Sequence, residues 1–199
     1  MIRKRTKLLL SFFIILLAGG LLYYLFSMQN QLPVIKKIEN IKLDSVLTDD
    51  YNLHNKKIKI VAFMFTKCPD ICPMTMVDLS RLQTELKKTD LFQNEVQIVT
   101  ITLDPEFDTE KVLKNYSERF DVDPNGWFMQ RGTITETEDA AKQFQMTYQR
   151  DENGMITHGT NMYLVDGNDR IRAVHEMNIM GEPVDLEAMM ENIKRLTKE

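Results

Sequence analysis

Cysteine is scarce in this chain, with 2 residues in 199, Cys68 and Cys72. Two thiols exclude a multi-bridge disulfide framework and allow one intramolecular bridge at most. Neither lies near the N-terminus, which excludes an N-terminal lipoprotein anchor. Histidine is also rare at 3 residues, so imidazole chemistry must come from His54, His158 or His175. Charge is missing altogether from Leu8 to Met28, where Leu, Ile, Phe and Tyr dominate. A basic excess is absent too. Residues 1–28 carry four of the 25 Lys and Arg and none of the 29 Asp and Glu, so the remainder has 21 against 29, a net charge of −8. An acidic domain repels phosphate, which excludes nucleic acid as a partner. No internal repeat or low-complexity segment interrupts the chain.

The uncharged run is the first positive feature. About 20 apolar residues suffice for a membrane-spanning helix, and roughly that many follow the basic cluster Arg3, Lys4, Arg5 and Lys7. Basic flanks stay cytoplasmic, which predicts a single-pass anchor with the long C-terminal part outside the cytoplasm. A cleaved signal peptide ending near Ala18-Gly19-Gly20 is the rival, but the apolar run continues past that point. The short stretch before the run leaves no room for an organellar transit peptide, so the expected location is a bacterial cell membrane. The expected organisation is residues 1–28 as cytoplasmic tip and anchor, 29–40 as linker, and 41–199 as one domain.

Within that domain the elements alternate. Ile58 to Thr66 reads as a central strand buried on both faces. Leu79, Leu82 and Leu86 repeat at helical spacing, and Val96 to Leu103 is a second strand rich in β-branched residues. Thr109 predicts an N-cap for a helix carrying Val112, Leu113, Tyr116 and Phe120. A third amphipathic stretch covers Glu136 to Phe144. Asn161–Val165 and Arg170–Val174 flank Asp166-Gly167-Asn168-Asp169, a hairpin signal, and Asp185 to Leu196 closes the chain as a helix. This order predicts an α/β domain of thioredoxin type, an α/β/α sandwich.

The cysteines sit where the first long strand ends, in Cys68-Pro69-Asp70-Ile71-Cys72-Pro73. Proline is tolerated in a helix only in the first turn, which predicts a helix starting near Pro73 and an irregular turn over Cys68–Cys72. A helix N-terminus favours the thiolate, the form that binds metal or attacks a disulfide. The spacing permits both chemistries, and a plain stabilising disulfide is the bland alternative.

Three segments together resemble the Sco (SenC) family: Phe65–Pro73 around the cysteines, Thr102-Leu103-Asp104-Pro105-Glu106-Phe107-Asp108-Thr109, and Ile156–Asp166 around His158. They occur in order over roughly Ile41 to Lys198. The resemblance implies a membrane-anchored, thioredoxin-like protein that delivers copper, as Cu(I) or Cu(II), to the binuclear copper site of cytochrome c oxidase. It implies Cys68, Cys72 and His158 as copper ligands, Asp104 as a supporting acid nearby, and the copper-bearing oxidase subunit as partner. The family is also credited with thiol–disulfide chemistry, so Cys68 and Cys72 stand equally as a redox-active pair, and a membrane-tethered oxidoreductase is the alternative function. Lys67 stands where some members have His or Ser, and Gly159 replaces a frequent Ser.

Physical chemistry supports the same trio. Thiolates suit Cu(I) and imidazole accommodates Cu(II), and three protein ligands leave the ion open to an incoming donor. Zinc would also accept this donor set, although closed structural zinc sites normally have four protein ligands. His54, in a polar turn, and His175, at a strand end, are expected to be structural or solvated. Asp70 is not expected to be a ligand. Met74 and Met76 adjoin the cysteines, with core packing as their default role, and Trp127 is expected to anchor packing.

Overall fold

The computed structural model describes residues 10, 12–22, 31–39, 41–48, 51–152 and 154–199. The predicted anchor falls partly outside these residues; 12–22 are helical and exposed. Among the described residues no helix is long and apolar enough to cross a membrane.

Among the described residues, nine strands and four further helices follow. They are β1 (Lys36–Lys37), β2 (Asp44–Ser45), β3 (Ile58–Met64), α1 (Ile71–Lys88), β4 (Val96–Thr102), α2 (Glu110–Glu118), β5 (Trp127–Arg131), α3 (Ile134–Gln143), β6 (Tyr148–Arg150), β7 (Ile156–His158), β8 (Asn161–Val165), β9 (Arg170–Glu176) and α4 (Leu186–Leu196). Seven strands form one sheet in the order β1-β9-β8-β3-β4-β5-β2, while β6 and β7 form a separate hairpin. β3, β4 and β5 run parallel, and β8 is antiparallel to β3.

Every residue of β3 and β4 is buried, as their near-continuous apolar runs require of central strands. Side chains alternate across the pleat. Ile60, Ala62 and Met64 join α1, α2 and α4 on one face, whereas Val61 and Phe63 meet Phe144 and the α3 alanines on the other. The sheet is therefore sandwiched between helices, and its central strands direct their C-terminal ends towards the cysteine turn and the loop after β4.

Several boundaries differ from the sequence pattern. Helix α1 begins at Ile71, two residues before Pro73. Pro69 then lies ahead of the helix, so the Pro73 ring meets no helical carbonyl four residues back, and its missing N–H is one that a first turn leaves unpaired anyway. Helix α2 is capped by Thr109 as expected, its hydroxyl accepting from Val112 N at 3.4 Å. Helix α3 starts earlier than its apolar stripe because Thr133 and Glu136 form a reciprocal capping box. The segment read as a linker supplies β1, paired with β9, and buries Ile38. Trp127 is fully buried and donates from Nε1 to Thr100 Oγ1 at 3.3 Å, but it also opens β5, a strand that its short, mixed segment did not announce.

Candidate metal centre

β3 ends at Met64 and the chain turns sharply, with Cys68 N donating to Phe65 O at 3.1 Å. Cys68 is half-buried at the turn, and Cys72 lies in the first turn of α1 with 1% exposure. Both are free thiols. The backbone N–H of Cys72 points at Cys68 Sγ, 3.4 Å away, so a helix N-terminal donor faces the sulfur. This is the electropositive setting that stabilises a thiolate.

His158 arrives from far along the chain at the end of β7. Its Nδ1 donates to the Gly159 carbonyl at 2.7 Å, and its ring stands edge-on to Phe65 at 5.8 Å between centroids. These contacts leave Nε2 facing the cysteines, 3.9 Å from Cys72 Sγ. Cys72 and His158 are both near enough to Cys68 to act on its thiol.

The two sulfurs hold their protons unequally. The Cys72 hydrogen bond, aided by His158, pulls the Cys68 thiol well below the ordinary thiol range despite burial. The same bond pushes Cys72 up, and burial adds to the effect. Cys68 is therefore the more acidic sulfur of the pair and Cys72 the less acidic.

Among the described residues, no group of three or more Cys, His, Asp or Glu side chains stands close enough together to hold a metal ion; Cys72 Sγ and His158 Nε2 face each other directly instead. One separation, that between Cys72 Sγ and His158 Nε2, does match two donors on a shared ion. Bonds of about 2.3 Å to sulfur and about 2.0–2.1 Å to imidazole, set at a trigonal angle, separate the two donors by about 3.8 Å. The observed 3.9 Å is close to that span.

A buried carboxylate underlies the cysteine turn. Asp108 is fully buried and accepts from Thr66 N at 3.1 Å, from Thr102 Oγ1 at 2.5 Å, and from the Thr66 hydroxyl. Burial pushes its carboxyl up against the pull of the Thr102 and Thr66 bonds, and its charge acts on Cys72. Asp104, the acid singled out in the sequence, is paired to Arg150 at 2.7 Å. The sequence signal for Asp108 was present, since it is the second Asp of the same motif, but spacing alone did not distinguish the two.

Other candidates separate cleanly. His54 Nδ1 meets Asp169 Oδ2 at 2.9 Å, and His175 lies within β9, near Asn192 Nδ2 at 3.5 Å; neither shares a contact with the cysteines. Met76 is core, whereas Met74 is 42% exposed beside Cys72. Lys67 rests 3.5 Å over the Phe107 ring. A side chain added at Gly159 would approach Met146 Sδ to 3.2 Å.

Residues 44–198 match the sequence profile of SCO1/SenC, a span that contains both cysteines, His158, Asp104 and Asp108. The chain belongs to the SCO1/SenC family. An SCO2-like protein of Rickettsia prowazekii is 33% identical over 121 residues, covering 57% of this chain and 55% of that protein. The chain thus matches about half the length of that relative. The solved structure of a SCO1/SenC family lipoprotein from Bacillus anthracis is 26% identical, with a TM-score of 0.73 over 81% of this chain and 95% of that one. Yeast Sco1 with copper bound aligns at 23% identity and a TM-score of 0.67, over 80% and 89% of the two chains; at that identity the likeness is one of fold. The α/β/α architecture of this SCO1/SenC chain is therefore the thioredoxin-like fold its relatives share.

Proposed function

We propose that this SCO1/SenC protein binds copper through Cys68, Cys72 and His158 and delivers it to the binuclear copper site of cytochrome c oxidase. The observation that carries this reading is the meeting of two thiols and an imidazole from distant parts of the chain, with Cys72 Sγ and His158 Nε2 at 3.9 Å. Membership of the SCO1/SenC family, to which the copper-bound yeast Sco1 gives its name, supports copper as the cargo. Sulfur donors hold Cu(I), and the imidazole extends the set towards Cu(II). With only three protein ligands, a donor from the oxidase subunit can join the ion before a protein ligand leaves, so transfer needs no free metal.

The uncharged run Leu8–Met28 supports a single-pass anchor in a bacterial cell membrane, with the folded domain outside the cytoplasm. Alkaline phosphatase fused after Glu199 should then be active. An inactive, stably produced fusion argues against that orientation.

A second reading is favoured by the free, adjoining thiols and the depressed Cys68 thiol. In it, the Cys68 thiolate attacks a disulfide of the oxidase copper site, forming a mixed disulfide. Cys72 then attacks Cys68 sulfur and its proton passes to the departing sulfur, leaving the target reduced and Cys68–Cys72 oxidised. That chemistry requires no imidazole. Oxidase assembly in a host lacking its own copy, complemented with His158→Ala, separates the two. Failure cured by excess copper supports delivery, and full rescue without added copper overturns it in favour of thiol–disulfide exchange.

A further inference from the structure

The hairpin that carries His158 is not part of the main sheet, so something else must fix its distance from the cysteines. β6 and β7 pair antiparallel, with Tyr148 opposite His158 and Arg150 opposite Ile156. Residues directly opposite, or two apart on one strand, share a face. Tyr148, Arg150 and His158 therefore stand on the same side of the hairpin.

The first two of these side chains reach one loop, the segment that follows β4. Tyr148 Oη donates to Leu103 O at 3.1 Å. Arg150 spreads its guanidinium between two carboxylates of that loop, with Nη2 2.7 Å from Asp104 Oδ1 and Nη1 3.6 Å from Glu106 Oε2. The Arg150 and Asp104 side chains are only 26% and 7% exposed, so this is a partly desolvated pair rather than a surface one. The loop is itself fixed, because Arg131 Nη2 donates to Pro105 O at 2.9 Å. At its far end Asp108 accepts from Thr66, two residues before Cys68. One short loop therefore holds the cysteine turn at one end and the histidine hairpin at the other.

From this arrangement we propose that Arg150 is a positioning residue for the metal centre: by clamping β6 to Asp104 and Glu106, it sets the reach of His158 Nε2 towards Cys72. The inference rests on the copper-binding reading above and gives Asp104 a specific part in it, as the anchor of the hairpin. A forked guanidinium can hold both acids at once, whereas a lysine ammonium in the same place grips one. Loss of the clamp leaves the cysteine turn intact and lets the hairpin swing, so its effect on copper should pass entirely through His158.

The test is a double-mutant cycle on the full chain, using Cu(I) competed against a chromophoric chelator, with Arg150→Met made alone and together with His158→Ala. Removing groups that orient a metal ligand typically weakens binding about 10–100-fold, and a loss of that size is expected for Arg150→Met alone. In the His158→Ala background the same change should produce no further loss. An equal loss in both backgrounds, or none in either, overturns the proposal. A second readout does not depend on copper. Amide exchange in the apo protein should speed up about tenfold or more across residues 148–158 in Arg150→Met, with β3 and β4 unchanged. Should the wild-type chain fail to bind Cu(I), the copper-binding reading falls, and the clamp is then decided by exchange alone, unaltered hairpin amides overturning it. Arg150→Lys, which keeps one ion pair, replaces Arg150→Met in every arm if the latter does not fold.

Discussion

Cys72 Sγ and His158 Nε2 lie 3.9 Å apart although 86 residues separate them in the chain. That contact sets an imidazole beside a cysteine pair of ambiguous purpose, and the copper-binding reading proposed for it has consequences that can be measured.

His158→Ala should bind Cu(I) at least about tenfold more weakly, since losing a ligand costs more than losing a group that merely orients one. Competition with a Cu(I) chelator measures it, alongside far-UV circular dichroism to show an intact fold. Unchanged affinity removes His158 from the ligand set.

Cys68 should be the reactive thiol. Its depressed pKa keeps it a thiolate at about pH 6, well under the ordinary thiol value of about 8.5. Brief iodoacetamide treatment at that pH should label Cys68 and spare buried Cys72. Cys72→Ser should change that rate, because a hydroxyl replaces the thiol that acts on Cys68. Peptide mass spectrometry reads both sites, and preferential labelling of Cys72 contradicts the assignment.

Asp108→Ala should destabilise the fold by about 1–3 kcal/mol, the usual cost of leaving buried hydrogen-bonding groups unpaired. The stranded partners are Thr66 and Thr102. Urea unfolding gives the change, and a wild-type midpoint would show that the cysteine turn needs no support from this acid.

Acid stability should depend on Asp166. Burial opposes its charge, yet Arg170 and Arg172 hold its carboxyl below the ordinary range, with Arg172 Nη1 at 2.8 Å. A depressed folded-state pKa adds stability that is fully present above the unfolded value, about 3.9, and is lost as pH falls through the folded one. Urea midpoints from pH 6 to pH 2 should therefore fall more steeply in wild type than in Asp166→Asn. Parallel curves would mean that Asp166 is not the linked group.

Much of the architecture was legible along the chain. The nearly continuous apolar run of β3, the β-branched residues of β4 and the helical leucines of α1 each report burial through local pattern, and the Asp166–Asp169 turn reports the hairpin it forms. β5 was not legible, because Trp127-Phe128-Met129 is too short a run to distinguish a strand from a single packing anchor. The β6–β7 hairpin was hidden for the opposite reason: its three-residue strands are mostly polar and gain their place from Tyr148 and Arg150 gripping another loop.

The donor chemistry and the class of fold were set by the sequence itself. Two thiols at a strand-to-helix junction, one histidine in a recognisable segment and alternating buried elements are all local properties. Only the tertiary structure decided that His158 reaches Cys72, that Asp108 rather than Asp104 lies under the cysteine turn, and that Asp104 belongs with Arg150. Local pattern encodes which face of an element is buried, but contacts across 86 residues depend on strand order and on how a detached hairpin is clamped, and neither is written in any single stretch of chain.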